Sequence, residues 1–211
     1  MKIGKIILGV MITVGIIASL LVGVYYYSFA PKTDVKSIQS EVFLDKKGLI
    51  LKFLPTDFKI NLKEVYVEST ADFSEDELTD LFILSIKELP ELSSFITGLK
   101  VDIEDKKINM YFHTNIQNIP IEGKLTFDGE CRDGKGVFHY VDGNVGFIPI
   151  SKETIFKGTE DTSIVQFDKE RGDIILSFEE IKLVEVRNII VNNNKVELTF
   201  RGTIRFWDWL K

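Results

Sequence analysis

The feature that most constrains this chain is an apolar run near its N-terminus. From Ile6 to Phe29, 24 consecutive residues carry no charge. A helix needs about 20 such residues to cross the hydrocarbon core of a bilayer, so the run predicts a transmembrane helix. A secretory signal has a shorter apolar stretch of about 7–15 residues, and Pro31 directly after Ala30 would hinder a signal peptidase. The sequence therefore predicts a cytoplasmic head and uncleaved anchor over residues 1–30.

The position of the run favours one orientation in the membrane. Lys2 and Lys5 precede it while Lys32 and Lys36 follow it, so the count of lysines alone does not decide the orientation. A short head and a long trailing domain favour a cytoplasmic N-terminus, because long domains translocate largely regardless of their charge. We therefore expect a single-pass protein of the cell membrane whose C-terminal domain lies outside the cytoplasm.

The charge balance excludes one large class of partner. Without Lys2 and Lys5 the chain carries 24 basic and 32 acidic residues, a net charge of −8. A nucleic-acid binder needs a basic surface for the phosphates, so we expect no nucleic-acid partner. Cys131 is the one cysteine, which rules out an internal disulfide. The 182 residues after Phe29 suffice for one domain with a hydrophobic core and are few for two.

The alternation of apolar and polar residues predicts that this domain consists mainly of strands. Residues 31–39 lack any periodicity and predict a short stalk, and the domain follows over residues 40–211. The last strand shows the alternation most clearly. Its inward-facing residues are Val196, Leu198, Phe200, Ile204 and Phe206. Polar turn signals separate the strands, and the clearest stand at residues 105–107, 133–136 and 192–194.

One principal helix interrupts the strands. Ser74 and Glu77 form a capping box ahead of an apolar pattern, and Pro90 ends that pattern. The helix is apolar around most of its circumference, so it needs cover on nearly all sides. Gly98 is predicted to cap a short second turn. About ten strands and this helix predict an α+β fold, in which a curved antiparallel meander sheet packs on the one principal helix.

The order of these elements resembles a known family. A transmembrane segment, a strand, a capped helix and an antiparallel meander follow one another. The segment VGFIPISKETIFK (145–157) interrupts the strands, and LSFEEIKLVEVRNIIVNNNKVELTF (176–200) closes the sheet. This layout resembles the YpmS-like family of membrane-anchored extracytoplasmic proteins of Gram-positive bacteria, whose function is not established. The resemblance covers about residues 73–200, and it implies a place at the cell envelope but no catalytic residue.

Residues able to carry catalysis are sparse. His113 lies on the polar parity of its strand, which predicts a solvent-facing side chain, and Cys131 lies on the inward parity, which predicts a small buried thiol. Cys131 and His139 flank a turn and could be cross-strand neighbours, but proximity alone activates no thiolate. One cysteine and two histidines are too few ligands for a zinc site, and the acidic turns lack the spacing of a calcium-binding loop. The tripeptide 171–173, Arg-Gly-Asp, is an ordinary turn sequence. We expect no enzyme, no metal and no cofactor.

Two functions from different classes are compatible with these observations. A curved sheet around an apolar helix could leave a groove for the acyl chain of a lipid. The residues predicted to line that groove are Leu78, Leu81, Phe82, Met110, Phe112, Leu125 and Phe127. The alternative is a closed core in a scaffold that recruits a protein partner for cell-envelope assembly. Trp207 and Trp209 are candidates for membrane or partner contact, unless they fold back over a sheet edge.

Overall fold

A computed structural model of the protein describes residues 2–42, 48, 52, 57–60, 64–87, 89–162, 164–178 and 184–205. The helices within these ranges are α1 (Lys2–Ser28), α2 (Glu75–Lys87), α3 (Pro90–Phe95) and α4 (Lys152–Ile155). The strands are β1 (Lys36–Ser37), β2 (Asp57–Ile60), β3 (Glu64–Ser74), β4 (Ile96–Glu104), β5 (Lys107–Ile116), β6 (Ile119–Arg132), β7 (Lys135–Val145), β8 (Ile148–Pro149), β9 (Val165–Asp168), β10 (Asp173–Leu176), β11 (Val184–Asn192) and β12 (Lys195–Arg205). The predicted α+β class with antiparallel strands is confirmed.

The N-terminal apolar run forms a single helix, α1. Its stretch Ile7–Ser28 is long and apolar enough to span a membrane, and none of it is buried within the protein. The aliphatic side chains from Ile7 to Val24 are about half exposed or more all around the helix. A helix that is apolar on every side is stable only where an apolar environment, such as a protein core or a lipid bilayer, surrounds it. The structure therefore confirms the predicted N-terminal helix, which is long and apolar enough to span a membrane.

The first sheet contains eight strands, in the order β1-β4-β5-β6-β7-β10-β9, with β8 paired to β7. Strands β4 to β7 form an antiparallel meander joined by two-residue turns. Asp105 and Lys106 both adopt positive φ, of 51° and 61°, in the first of these turns. Two positive φ values in succession match the right-handed twist of the flanking strands. The turns predicted at 105–107 and 133–136 are confirmed.

The second sheet contains four strands, in the order β11-β12-β3-β2. Strand β12 pairs with β3 from Lys195–Ser74 to Arg205–Glu64, and β11 packs against β6 and β7 of the first sheet. Gly129 of β6 permits this approach, because a Cβ there would stand 3.1 Å from the side chains of both Ile189 and Val191. The strands thus divide into two sheets, where the sequence predicted one meander. Alternation shows which side of a strand is apolar but not which strand will be its neighbour.

Helix α2 begins as the sequence predicted. The Ser74 N–H donates to Glu77 Oε2 at 2.9 Å, and the Glu77 N–H donates to Ser74 Oγ at 3.3 Å, which completes the capping box. Thr79, Ile83 and Ile86 are its buried residues. The helix lies along the outer edge of β4, where Thr79 Oγ1 accepts a hydrogen bond from the Val101 N–H at 2.9 Å. The Thr79 side chain of α2 therefore satisfies the Val101 N–H, which an uncovered sheet edge would leave unpaired.

The residues predicted as a stalk lie against the domain. Strand β1 pairs with β4 at Leu99 and Gly98, and the following residue, Ile38, is only 4% exposed. The predicted helix cap at Gly98 is wrong, because this glycine lies inside β4. A Cβ at Gly98 would collide with the side chain of Val35, so the glycine allows the incoming chain to approach the strand closely.

Candidate functional site

The candidate site is the end of the first sheet that meets the C-terminal end of α1. The hydroxyl of Tyr25 donates to the carbonyl oxygen of Pro120 at 2.9 Å. The rings of Phe29 and Phe147 meet edge to face with their centroids 5.0 Å apart. The Glu122 N–H donates to the Phe29 carbonyl at 3.0 Å. These contacts attach the end of the helix to the start of β6 and to the turn between β7 and β8.

Glu122 holds the chain that leaves α1. Its Oε2 accepts hydrogen bonds from the backbone N–H groups of Lys32 at 3.0 Å and Thr33 at 2.7 Å, and it lies 3.2 Å from His113 Nε2. Burial opposes ionisation of the carboxyl. The hydrogen bonds from Thr33, Lys32 and His113 outweigh that effect and hold the pKa of Glu122 below its usual value. The arrangement fixes the linker between helix and domain.

The prediction that His113 faces solvent is wrong. Its side chain is 17% exposed and that of Glu122 is 18% exposed. His113 and Glu122 are direct cross-strand partners in the register of β5 and β6. The side chains of a cross-strand pair point to the same face of a sheet, so each covers the other. No local signal in the sequence distinguishes Glu122 from other strand glutamates, because its linker partners lie about 90 residues earlier.

Exposed apolar side chains gather at this end of the sheet. Outside α1, ten large hydrophobic residues among those described are exposed. Seven of the ten lie on α3 and the residue before it, beside the β5–β6 turn, and in or beside the β7–β8 turn. They are Leu89, Leu92, Phe95, Ile116, Ile119, Phe147 and Ile148. We call these seven residues the apolar end face. Thr114 Oγ1 donates to the Phe95 carbonyl at 2.6 Å, which ties α3 to the end of β5 beside the turn.

The seven residues predicted to line an acyl-chain groove lie in two hydrophobic clusters. Phe127 belongs to the cluster between the two sheets, with Leu78, Leu81, Phe82 and Leu125 packed against it. Phe112 belongs to the cluster around Ile83 and Leu99, with Phe82, Leu125 and Met110 packed against it. Phe112 is 8% exposed and Phe127 is 6% exposed. The fold brings the seven together through Phe82 and Leu125, which contact both clusters.

A cleft of about 250 Å³ opens between the linker, α2 and the edge of β4. Its lining comprises Asp34, Val35, Lys36, Asp76, Thr79, Asp80, Leu99 and Lys100. Lys36 forms an ion pair with Asp80 across it. None of the seven groove candidates lines this cleft. Five of its eight residues are charged, so it suits a polar group and not an acyl chain.

Cys131 and His139 are not brought together. In the register of β6 and β7, Cys131 pairs with Gly136 while His139 pairs with Asp128. The Cys131 thiol donates to the Val186 carbonyl at 3.0 Å, and burial raises the pKa of the thiol. A thiol with a raised pKa holds less reactive thiolate at neutral pH. The half-buried thiol therefore contributes to packing between the sheets.

His139 lies at a buried carboxylate. Its Nδ1 is 2.6 Å from Asp173 Oδ1, and Arg132 Nη1 is 3.1 Å from Asp173 Oδ2. Asp173 is 1% exposed, so these two partners offset the cost of burying its charge. The burial also means that the tripeptide 171–173 does not display its aspartate. Among the described residues, no group of three or more histidine, cysteine, aspartate and glutamate side chains could hold a metal ion.

The chain was compared with family models, curated proteins and solved structures. No family model, no curated protein and no solved structure matches it. Trp207 and Trp209, which the sequence marks as candidates for membrane or partner contact, lie outside the described residues.

Proposed function

We propose that this chain is a single-pass membrane protein that carries a non-enzymatic interaction domain on the extracytoplasmic side of the membrane. The observation that carries the proposal is the attachment of the domain to the end of α1. Glu122 accepts hydrogen bonds from the Lys32 and Thr33 N–H groups, and Tyr25 donates to the Pro120 carbonyl. An anchor joined in this way positions the domain directly at the bilayer surface. The resemblance to YpmS-like proteins supports the same placement.

The packing supports a protein partner as the ligand of this domain. Phe112 and Phe127, two of the predicted groove residues, are almost completely covered by the core. The one cleft described above has a charged lining, which suits a polar segment of another protein. We therefore propose a scaffold that recruits a partner for envelope assembly.

Binding of an acyl chain is the second candidate. Leu78, Leu81, Phe82 and Leu125 are half-buried and not fully enclosed, which favours this candidate. A small opening of the two clusters at Phe82 and Leu125 would create an apolar channel between the sheet and α2. The two candidate functions predict different contents of the purified protein, because only acyl-chain binding requires bound lipid.

The anchoring and the orientation can be tested by labelling the full chain in intact cells. The native thiol is removed by Cys131→Ala, and a single cysteine is placed either in the head by Lys2→Cys or in the exposed β11–β12 turn by Asn193→Cys. We expect an impermeant maleimide to label the Asn193→Cys chain alone and both chains after lysis. We also expect the protein to stay with the membranes in alkaline carbonate.

The opposite labelling pattern would contradict the orientation, and release by carbonate would contradict the anchor. Native mass spectrometry of the same chain, purified in detergent, then separates the two ligands. A stoichiometric acyl lipid favours the second candidate, and a chain free of lipid favours the scaffold.

A further inference from the structure

We infer that the apolar end face is a lipid contact surface, and that its two turns enter the interfacial layer of the bilayer that holds α1. The inference rests on the proposed function, because it requires α1 to span the membrane. It adds a second point of contact between this protein and lipid. The partner it names is the headgroup and upper acyl region of the surrounding membrane, not a bound lipid within the core.

The length of α1 places the turns at the right depth. The stretch Ile7–Ser28 contains 22 residues. At about 1.5 Å per residue the stretch is about 33 Å long, close to the hydrocarbon thickness of about 30 Å. The last turn of α1 therefore lies at the level of the headgroups, where Tyr26 and Tyr27 are 67% and 82% exposed, as tyrosines of an interfacial belt are.

The two turns stand at the same level as that last turn of the helix. Tyr25 contacts Pro120, the second residue of β6 beside the β5–β6 turn, and Phe29 contacts Phe147 in the β7–β8 turn. Gly146 lets the second turn come so close, because a Cβ at Gly146 would overlap the ring of Phe29 and stand 2.7 Å from the Ser28 carbonyl oxygen. Because these residues contact the end of α1 directly, the two turns must lie close to the surface of a bilayer that α1 spans.

The side chains on these turns suit the interface. Ile116 and Ile119 are each 48% exposed, Phe147 is 66% exposed and Ile148 is 52% exposed. The two surrounding stretches, residues 114–121 and 143–151, contain no charged residue. Apolar side chains in such uncharged stretches gain by leaving water, and an aromatic ring is well accommodated at the headgroup level.

The opposite end of the same sheet shows a different chemistry. Its turns contain Asp105 and Lys106 between β4 and β5, and Asp133 between β6 and β7, with Arg132 and Lys135 beside it. Hairpin turns need no apolar residue for their own geometry, and polar residues are the usual choice. The residues that flank the turns are therefore apolar at the end that contacts α1, where they are Ile116, Ile119, Val145 and Ile148, and charged at the opposite end.

The contact can be tested with the full chain reconstituted in vesicles of phosphatidylcholine and phosphatidylglycerol. In a Cys131→Ala background, an environment-sensitive fluorophore is attached to Phe147→Cys or Ile119→Cys. The control position is Lys106→Cys in the opposite turn, and Leu20→Cys in α1 is the reference within the bilayer. We expect a nitroxide at the lipid headgroup to quench the probes at 147 and 119 severalfold more than the probe at 106. A nitroxide deep in the acyl chains should quench the probe at 20.

The outcomes separate this inference from the proposed function. A probe at 20 that escapes deep quenching means that α1 does not span the bilayer, and both proposals fail. A quenched probe at 20, with equal headgroup quenching at 147, 119 and 106, leaves the anchor and overturns the lipid contact. Protection of 147 and 119 from aqueous iodide without quenching by lipid would show that a second copy of the chain covers the face, which also overturns the lipid contact.

Discussion

At the scale of single residues, Glu122 decides how the domain is held. One carboxylate oxygen receives two backbone N–H groups of the linker, while the Glu122 N–H itself donates to Phe29. Hydrogen bonds to a charged acceptor are stronger than those between neutral groups. The side chain is only 18% exposed, so water competes weakly for it. The linker therefore follows a defined path, although its own sequence has no periodicity.

Replacement of Glu122 by glutamine tests this role. The amide oxygen can still accept hydrogen bonds, but the loss of charge should weaken docking of the linker by about 1 kcal/mol, or about fivefold. We expect hydrogen exchange of the Lys32 and Thr33 amides to accelerate by about that factor. Glu104→Gln, an exposed glutamate at the opposite end of the sheet, is the matched control. Equal exchange rates in both variants would show that Glu122 does not hold the linker.

The same docking should depend on pH. The pKa of Glu122 is lower in the docked state than its ordinary value of 4.5. A carboxyl with a lowered pKa stabilises the docked state fully above its ordinary pKa and loses that stabilisation as the pH falls through the lowered value. Protection factors of the two linker amides should thus stay constant above pH 5 and fall below pH 4.5. The Glu122→Gln chain should lack this pH dependence.

At the scale of elements, α2 shows how a local sequence signal and a distant contact combine. The capping box sets the first turn of the helix, and Lys52 Nζ adds an ion pair to Glu77 at 2.6 Å. Burial of the Glu77 carboxyl opposes its ionisation, but the contacts from Lys52 and Ser74 lower the pKa of Glu77 overall. The Glu75 carboxylate accepts the Ile103 N–H at 2.7 Å, so the same turn also covers the edge of β4.

The cap can be removed without disturbing the core. Ser74→Ala deletes the hydroxyl that accepts the Glu77 N–H, and we expect the free energy of unfolding to fall by about 1 kcal/mol. Urea unfolding of the full chain in detergent measures this change. Ser85→Ala, in the last turn of the same helix, is the control and should be neutral or slightly stabilising, because alanine is the better helix former. Similar losses in the two variants would contradict a capping role.

At the scale of the whole molecule, the stability of the domain depends on the packing of β11 across β6 and β7. Ile189 and Val191 are each 7% exposed and lie against Gly129, while Ile190 between them is 39% exposed. Successive residues of a strand point to opposite sides, so one side of β11 joins the core and the other faces solvent. This contact connects the two sheets into one domain.

The adjacent isoleucines provide a matched pair for that contact. Ile189→Ala creates a cavity between the sheets, and we expect the free energy of unfolding to fall by about 2–5 kcal/mol. Ile190→Ala removes the same atoms from the outer side and should cost less than about 1 kcal/mol. Urea unfolding of both chains in the same detergent compares them directly. Equal losses would mean that β11 does not pack on the first sheet as described.

The sequence by itself determined the apolar helix, the antiparallel strands, the capping box at Ser74 and the hairpin turns. Each of these depends on residues only a few positions apart, so a local pattern of polarity or turn chemistry is enough to indicate it. It did not indicate the pairing of β12 with β3, the path of residues 31–39 or the partner of His113. These depend on contacts between residues about 10 to more than 100 positions apart.

The same distinction applies to the candidate site. The sequence showed that Phe147 and Ile119 are apolar, but alternation alone gave no reason to separate them from core residues. Only the tertiary structure brought their two turns to one end of a sheet, left them exposed and set them against Tyr25 and Phe29. The physical reason is that exposure is a property of the folded surface, since it depends on what the rest of the chain covers.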